Sequence, residues 1–477
     1  MTTVATSFFQ DRDFIDALYI VSFVLFIVGL RGLAGPKTAV RGNQIAGLGM
    51  LIAFVATLLI DGVIEDGGDV ALIAIGIGVG TAVGIPAARN VKMTAMPQMV
   101  ALFNGVGGGA VALIAWAEYR RKFPGEDGLW DLQAEIPSLF AAIVGSISFW
   151  GSNIAFGKLQ EVLPGRPIQL PGQRFINLLL GLVSVGSAIA LASGVHSEAL
   201  FVLGILVTAA LLGNLMVLPI GGADMPVVIS LLNAFTGVSA AATGIALENT
   251  SLIVAGTLVG ASGSILTNMM AVAMNRSVPA IIAGGFGGVT TAPTAEGDED
   301  RTVRSTSPDD VAVQLSYADR VVVVPGYGMA VAQAQHTVRE LADELEKRGV
   351  EVEFAIHPVA GRMPGHMNVL LAEADVAYDK LKEMDEINPE FPQTDVSLVI
   401  GANDVTNPDA RENEGSPIYG MPILDVDKSG QVIVLKRSMN TGFAGIDNPL
   451  FYMENTALLF GDAKESVAAV LGEVKEL

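Results

Sequence analysis

Two glycines follow directly on a run of valines, and their spacing is suited to binding a phosphate group. Gly326 and Gly328 flank Tyr327 where the apolar residues 321–324 give way to a helical pattern. Glycine lets backbone N–H groups approach a phosphate, and the N-terminus of the following helix attracts its charge. The segment predicts a dinucleotide-binding strand, turn and helix, although a tight structural turn can have the same sequence.

The residues behind two other predicted strands indicate which dinucleotide is bound. A domain that prefers NAD usually ends its second strand in Asp or Glu, which holds the ribose 2′-hydroxyl, but here that position is near His357 and no carboxylate is placed for this role. The fourth predicted strand is followed by Lys436, Arg437 and Ser438. Two cations and a hydroxyl suit the 2′-phosphate of NADP, and salt bridges to local acids are the alternative. The pattern favours NADP(H).

Charge divides the 477 residues into two regions. Residues 1–290 contain 13 Lys and Arg against 16 Asp and Glu among long apolar runs, whereas residues 291–477 contain 15 against 33. This acidity argues against a nucleic-acid partner, whose phosphates attract Lys and Arg. The chain has no Cys and its four His have no ligand spacing, so we expect no disulfide, iron–sulfur cluster or metal site. Acidic residues precede the first apolar run, so no cleavable signal peptide is expected.

The first 280 residues contain apolar runs long enough to cross a bilayer, which needs about 20 residues. We predict nine spans, at residues 15–34, 43–61, 69–88, 96–117, 136–157, 175–194, 199–220, 224–246 and 251–273. One alternating set of loops carries most of the cations, namely Arg31, Lys37, Arg41, Arg89, Lys92, Lys158, Arg166, Arg174 and Arg276. Because cations favour the cytoplasmic side, the N-terminus is predicted outside and the C-terminal domain in the cytoplasm.

Polar side chains inside the predicted spans are informative because each needs a partner or water. They are Asn104, Ser152, Asn153, Asn177, Asn214, Asn233 and Asn268, with Asp224 at the entrance of a span. An interhelical hydrogen bond would explain any one of them, but together they could supply a proton path. The spans carry no central Arg or Lys, which excludes a voltage sensor, and no potassium-selective filter sequence occurs.

Beyond residue 310, strand and helix patterns alternate. Strands are predicted at 321–324, 352–356, 396–400, 431–435 and 456–459, helices at 330–348, 366–376, 409–413 and 463–475, and residues 378–381 read as half strand, half helix. This alternation is typical of a parallel sheet that binds ligands at the carboxyl ends of its strands. We therefore predict a polytopic all-α membrane domain (1–280), a flexible acidic linker (281–310) and an α/β Rossmann-like cytoplasmic domain (311–477).

Over essentially its whole length, the chain resembles the β subunit of the proton-translocating nicotinamide nucleotide transhydrogenase. The most specific strings are Pro-Gly-Tyr-Gly-Met-Ala from 325, Gly-Ala-Asn-Asp from 401, Lys-Arg-Ser-Met-Asn from 436 and Gly-Gly-Ala-Asp-Met-Pro from 221, together with residues 357–371, 384–388 and 461–464. The resemblance implies that this chain binds NADP(H) in an orientation flipped relative to most Rossmann enzymes. NADH on a partner would reduce NADP⁺ as protons enter the cytoplasm.

The resemblance also implies partners and a location. NAD(H) would be held by one or more α subunits that bring their own membrane helices. We expect a dimer of the α–β unit in the lipid bilayer of the cell inner membrane.

The family pattern assigns a site to many residues of the soluble half. Lys436, Arg437 and Ser438 would bind the 2′-phosphate. The rest of the NADP(H) site would comprise Gly326, Tyr327, Gly328, Ala330, Val331, Val359, Ala360, Gly361, Arg362, Met363, Pro364, Gly401, Ala402, Asn403, Asp404, Val405, Gly420, Met421, Met439, Asn440, Thr441, Gly442, Phe443, Asp462 and Ala463. Asp385 would link protonation to the affinity for the cofactor.

One membrane position departs from the family pattern. Many relatives carry His where this chain has Asn104, and Asn does not titrate. Either a histidine of the partner subunit carries the proton, or the path runs through water with Ser152, Asn233 and Asp224.

Two other classes of protein remain as alternatives. A channel or transporter gated by a redox-sensing dinucleotide domain would bind NADP(H) without turnover. A stand-alone membrane reductase would need a haem or flavin site, and no span carries paired histidines.

Overall fold

The computed structural model describes residues 10–33, 35–64, 66–122, 132–165, 167–221, 224–274, 277–285, 302–362, 365–416, 418–442 and 444–477. Within these ranges, nine helices are long and apolar enough to cross a membrane. Eight of them are α1 (Arg12–Gly32), α2 (Pro36–Leu59), α3 (Gly67–Asn90), α4 (Met96–Lys122), α5 (Leu132–Leu159), α6 (Gln173–Ala192), α8 (Met225–Ala246) and α9 (Thr250–Ala273). The prediction of about nine helical spans is confirmed.

The remaining span changes its winding along its length. Leu200–Val207 is a π-helix, and α7 (Thr208–Val217) continues from it as an α-helix. The sequence predicted one uniform span, because apolar periodicity does not distinguish the two windings. Two side chains bond to carbonyls of the π segment: Ser146 Oγ donates to Leu206 O at 2.9 Å and Thr208 Oγ1 to Gly204 O at 2.6 Å. Such side-chain donors satisfy backbone groups that a change of winding exposes.

Glycine lets the helices of the membrane domain approach one another closely. A Cβ on Gly237 of α8 would overlap the Gly260 backbone of α9. A Cβ on Gly145 of α5 would lie 2.7 Å from Gly108 O of α4. These contacts tie α4, α5, α8 and α9 together as small residues do in other membrane proteins. In contrast, α3 buries none of its described residues.

The soluble domain is built on one parallel sheet of six strands in the order β3-β2-β1-β4-β5-β6. The strands are β1 (Arg320–Pro325), β2 (Glu351–Ile356), β3 (Leu381–Glu383), β4 (Val396–Ile400), β5 (Gln431–Lys436) and β6 (Thr456–Phe460). Their apolar runs are buried because helices cover both faces. The order reverses between β1 and β4, and ligands bind at such a switch point in open parallel sheets. The predicted α/β parallel-sheet domain is confirmed.

Helices precede, connect and follow the strands. They are α11 (Pro308–Ser316), α12 (Tyr327–Ala332), α13 (Gln335–Lys347), α14 (His366–Glu373), α15 (Met384–Ile387), α16 (Asp409–Glu412) and α17 (Ala463–Glu476), and α10 (Val278–Gly285) follows the last span. The prediction of one helix over residues 330–348 was wrong, because Gln333 has a left-handed φ of 52° and separates α12 from α13. In the run 378–381, Tyr378–Lys380 is a 3₁₀ helix and Leu381 begins β3, so the predicted mixture of helix and strand is present but the helical part is longer.

Part of the predicted linker pairs with the sheet. Thr306 N donates to Leu458 O at 2.9 Å, and Leu458 N donates to Arg304 O at 2.8 Å. The chain therefore joins the free edge of β6 before α11 begins. Residues 286–301 lie outside the described part of the chain.

Candidate functional site

A cleft of about 410 Å³ opens where the loops behind the strands converge. The loops that follow five of the six strands, namely β1, β2, β4, β5 and β6, contribute to it. Its predicted lining residues are Gly326, Tyr327, Gly328, Val359, Ala360, Gly361, Gly401, Ala402, Asn403, Asp404, Val405, Met421, Lys436, Arg437, Ser438, Asn440, Thr441, Gly442, Asp462 and Ala463. The fold thus gathers segments separated by more than a hundred residues into one site.

The glycine turn behind β1 packs against the loop behind β4. Gly328 N donates to Gly401 O at 3.0 Å, and Gly326 N donates to Ile400 O at 2.9 Å. A Cβ on Gly326 would overlap the backbone of Gly401 and Ala402. Both N–H groups are occupied within the protein, so these glycines serve the close approach of two strand ends. These two N–H groups therefore fit the alternative of a tight structural turn, because their hydrogen bonds are made within the protein.

The cations behind β5 differ in their surroundings. Lys436 Nζ lies 4.2 Å from the centre of the Phe451 ring. Burial lowers the pKa of Lys436, and the nearby carboxylates of Asp447 and Asp404 oppose that shift. Arg437 is exposed at the cleft and makes no ion pair with any residue that the structure describes. Arg437 therefore remains available to an anion in the cleft, with the exposed Ser438 beside it.

Asp404 ties the loop behind β5 to the loop behind β4. Its Oδ2 accepts a hydrogen bond from Ala444 N at 2.9 Å, and a Cβ on Gly442 would overlap its carboxylate. Asn448 Nδ2 adds a second tie, donating to Asn403 O at 3.0 Å. These contacts hold the chain around residue 442 against the cleft.

His357 organises another wall of the cleft. It is 1% exposed, and its Nδ1 accepts a hydrogen bond from Val359 N at 3.2 Å. Because Nδ1 accepts, the other ring nitrogen carries the proton and donates to Pro422 O at 2.8 Å. The ring therefore joins Val359 and the neighbourhood of Met421, which both line the cleft. Burial lowers the pKa of His357 to about 4.

We expect the soluble domain to lose stability as the pH falls from 6.5 towards 4. Burial lowers the pKa of His357 and of His366 from 6.5 to about 4, and the Arg362 charge adds to the shift at His366. The unfolded chain therefore takes up protons before the folded chain, so the stabilisation is complete above pH 6.5. Each ring contributes up to about 3 kcal/mol, lost progressively as the pH falls to 4.

Chemical denaturation of the soluble domain between pH 8 and pH 5 measures this effect before most carboxylates titrate. His336 is exposed, so a His336→Gln control should keep the same pH dependence. Equal stability at pH 7 and pH 5 would contradict the assignment of two neutral buried rings.

Some predicted cofactor residues lie away from the cleft lining. Ala330 is fully buried in the core beneath α12, Val331 is exposed on the same helix, and Met439 packs against the core. Gly420 is exposed, and its N–H donates to Ala410 O at 2.8 Å. Arg362 points towards the membrane domain. The family resemblance assigned whole segments to the site, but successive residues of a helix or loop face different directions. Met363, Pro364 and Phe443 lie outside the described residues.

The structure adds lining residues that the sequence prediction missed. Ala332, Leu435 and Gly461 lie next to predicted members, whereas Met274 follows α9 in the membrane domain. Extending each predicted segment by one residue, in either direction, would have found the first three. No local signal identifies Met274, because its place depends on how the two domains meet.

Two of the predicted membrane residues form a buried polar network. Asn104 Nδ2 donates to Ser152 Oγ at 2.9 Å and reaches Ser148 Oγ at 3.4 Å. Ser148 Oγ also lies 2.6 Å from Thr236 Oγ1. Asn104 Oδ1 is buried and accepts no hydrogen bond from any residue that the structure describes. The network joins α4, α5 and α8, and Ser148 and Thr236 had no sequence signal beyond their hydroxyl groups.

The water path predicted from Asn104 also included Asn233 and Asp224, and neither belongs to this network. Asn233 is half-buried on α8 and makes no side-chain hydrogen bond with the described chain. Asp224 is the residue before α8, nine positions earlier, which corresponds to about 14 Å along a helix. Asp385 is exposed in the first turn of α15, and it does not line the cleft.

The apolar helices, the sheet order and the cleft at the switch point define a membrane protein with a Rossmann-like domain, whose parallel sheet is of the kind that binds ligands at the carboxyl ends of its strands. Comparison with known proteins gives the family. The model of the family described as "NAD(P) transhydrogenase beta subunit" matches residues 15–473, and the chain belongs to that family.

Two curated relatives carry the name NAD(P) transhydrogenase subunit beta, one for Rhodospirillum rubrum as a species and one for a strain of it. Each is 49% identical to this chain over 461 residues, which cover 95% of this chain and 98% of the relative. The resemblance inferred from the sequence is confirmed. A beta subunit of a transhydrogenase implies a nicotinamide nucleotide as cofactor and an alpha subunit as partner.

Proposed function

We propose that this chain binds NADP(H) in its cleft and exchanges hydride with NAD(H) held by the alpha subunit. The observation that carries the proposal is Arg437, a cation without an ion-pair partner among the described residues, in a cleft of an acidic domain. Ser438 and Lys436 stand beside it. A 2′-phosphate distinguishes NADP from NAD, and an exposed guanidinium with a hydroxyl is suited to bind it.

Hydride transfer between two nicotinamides needs close approach and correct orientation. The chain therefore has to position the cofactor, and no protein nucleophile is needed. When bound, the cofactor supplies the hydride chemistry. The apolar wall from Tyr327, Val359 and Ala360 would exclude water from the ring. Asp404 would hold the loop behind β5 over the cofactor.

We further propose that the transfer is coupled to proton entry through the membrane domain. The network of Asn104, Ser148, Ser152 and Thr236 would form one section of the path. Since none of its members titrates near neutral pH, a proton would pass by relay through hydroxyl groups and water. The buried Asn104 Oδ1 offers an acceptor for such a water.

We also propose the rest of the proton path, the topology of the chain and its assembly. Asn233 and Asp224 would extend the path towards the soluble domain. We place the N-terminus outside, the C-terminal domain in the cytoplasm, and the α–β unit as a dimer in the cell inner membrane. Asp385 is proposed, from the family resemblance, to link protonation to NADP(H) affinity.

Reconstitution of this chain with its alpha subunit in lipid vesicles tests the proposal. NADP⁺ reduction by NADH should be accompanied by proton movement, and Asn104→Leu should reduce that movement about tenfold or more while leaving NADPH binding unchanged. The matched control is Asn153→Leu, because among the described residues Asn153 Nδ2 bonds within its own helix, to Phe149 O at 2.8 Å.

The same assay judges each part separately. Hydride transfer without proton movement would defeat the coupling. Binding of NADPH without turnover would favour a redox-gated channel. If Asp385→Asn leaves the pH dependence of NADPH release unchanged, Asp385 is not the coupling residue.

A further inference from the structure

Arg362 links the soluble domain to the end of a membrane helix. Its Nη1 donates to Leu159 O at 3.2 Å, on the last residue of α5. The same carbonyl accepts a hydrogen bond from Gln98 Nε2 of α4 at 3.1 Å. Arg362 Nη2 also lies 3.4 Å from Glu161 Oε1. The guanidinium therefore bonds to the membrane domain at a point where two spans already meet.

The same side chain supports the wall of the cofactor cleft. The Arg362 guanidinium carbon lies 4.5 Å from the centre of the Tyr327 ring, which lines the cleft. The Arg362 backbone N–H donates to His366 Nδ1 at 3.1 Å, and the side chain of Arg362 is only 15% exposed. One side chain thus contacts the end of α5 on one side and a cleft residue on the other.

A second residue of the membrane domain reaches the cleft. Met274 follows α9 and contributes to the lining of the cleft, as Gly326 and Tyr327 of the soluble domain also do. The membrane domain therefore forms part of the wall of the cleft in the docked arrangement.

From these contacts we propose that Arg362 is a positioning residue that couples the docking of the soluble domain on α5 to the retention of the cofactor in the cleft. The inference rests on the proposed binding of NADP(H). When the domain is docked, Arg362 fixes the Tyr327 ring and Met274 covers part of the opening. Whatever stabilises docking then raises the affinity for the nucleotide, and bound nucleotide stabilises docking by the same free energy.

Two simpler roles for Arg362 fit the contacts less well. A direct bond to a cofactor phosphate would require the guanidinium to face the cleft, but it does not line it. A surface ion pair is weak when its partner is exposed, and the Glu161 side chain is 79% exposed. The Leu159 carbonyl and the Tyr327 ring are therefore the contacts that matter.

The test uses the full chain in lipid nanodiscs and follows docking and cofactor release separately. Because the chain has no Cys, Leu33→Cys and Glu340→Cys, both at exposed positions, give a specific pair of spin labels on the two domains. NADPH release is followed by nicotinamide fluorescence. The variants are Arg362→Gln and Arg362→Lys, and the control is Arg339→Gln, whose guanidinium pairs with Asp343 on α13.

Arg362→Gln should broaden the distance between the labels and speed NADPH release about fivefold. Arg362→Lys should fall in between, because it keeps the charge and loses the planar fork. The control should change neither quantity. Faster release with an unchanged distance, or no change in either quantity, would overturn the proposal. If the unsubstituted chain bound no NADPH, the proposed function would fail, whereas the distance measurement would still show whether Arg362 holds the domain in place.

Discussion

Replacing Arg437 by Gln should weaken NADPH binding about 30-fold while leaving NADH binding nearly unchanged. Arg437 is exposed at the cleft and makes no ion pair with the described residues, so its charge is available to a 2′-phosphate. NADH lacks that phosphate, and the loss should therefore be selective. Isothermal titration of the full chain with both nucleotides measures the ratio of the two affinities.

Lys436→Gln should have a smaller effect than Arg437→Gln. The Lys436 ammonium already lies against the Phe451 ring and near the carboxylates of Asp404 and Asp447. Arg339→Gln on α13 is the control for loss of a positive charge elsewhere in the domain. Equal losses for NADPH and NADH would mean that Arg437 binds a part common to both nucleotides. Unchanged NADPH binding would place the 2′-phosphate elsewhere.

Gly401→Ala should destabilise the soluble domain by about 3–5 kcal/mol and abolish cofactor binding. Gly401 has φ +67°, a left-handed conformation that strains an L side chain. Its Cβ would also overlap Gly328 Cα and approach Met329 N to 2.6 Å. These are backbone atoms, which cannot rotate away as a flexible side chain can. The loops that follow β1 and β4 would therefore have to separate.

Gly349→Ala is the matched control for this substitution. Gly349 has φ +93°, but a Cβ there meets no atom within 4 Å, so only the strain of about 1–2 kcal/mol remains. Urea denaturation and NADPH titration of both variants separate strain from overlap. Similar stability for the two variants would show that the strand-end loops tolerate separation, contrary to the proposed role of the glycines.

Local sequence was sufficient to predict most of the architecture. The spans followed from runs of about 20 apolar residues and the strands from short valine-rich runs, because both patterns are set by neighbours along the chain. Lys436 and Arg437 were also recognisable from the sequence, because they are two adjacent cations in an acidic domain. Family resemblance then supplied most of the residues that line the cleft.

Only the tertiary structure decided how distant segments meet. Gly328 N–H is occupied by Gly401 O, Arg362 turns from the cleft to Leu159, and Asn104 meets Ser148 and Ser152. The partners in each contact are separated by between 44 and 203 positions in the chain. A hydrogen bond or a steric overlap is settled within a few tenths of an ångström, and sequence spacing does not fix the approach of separate helices and strands to that precision.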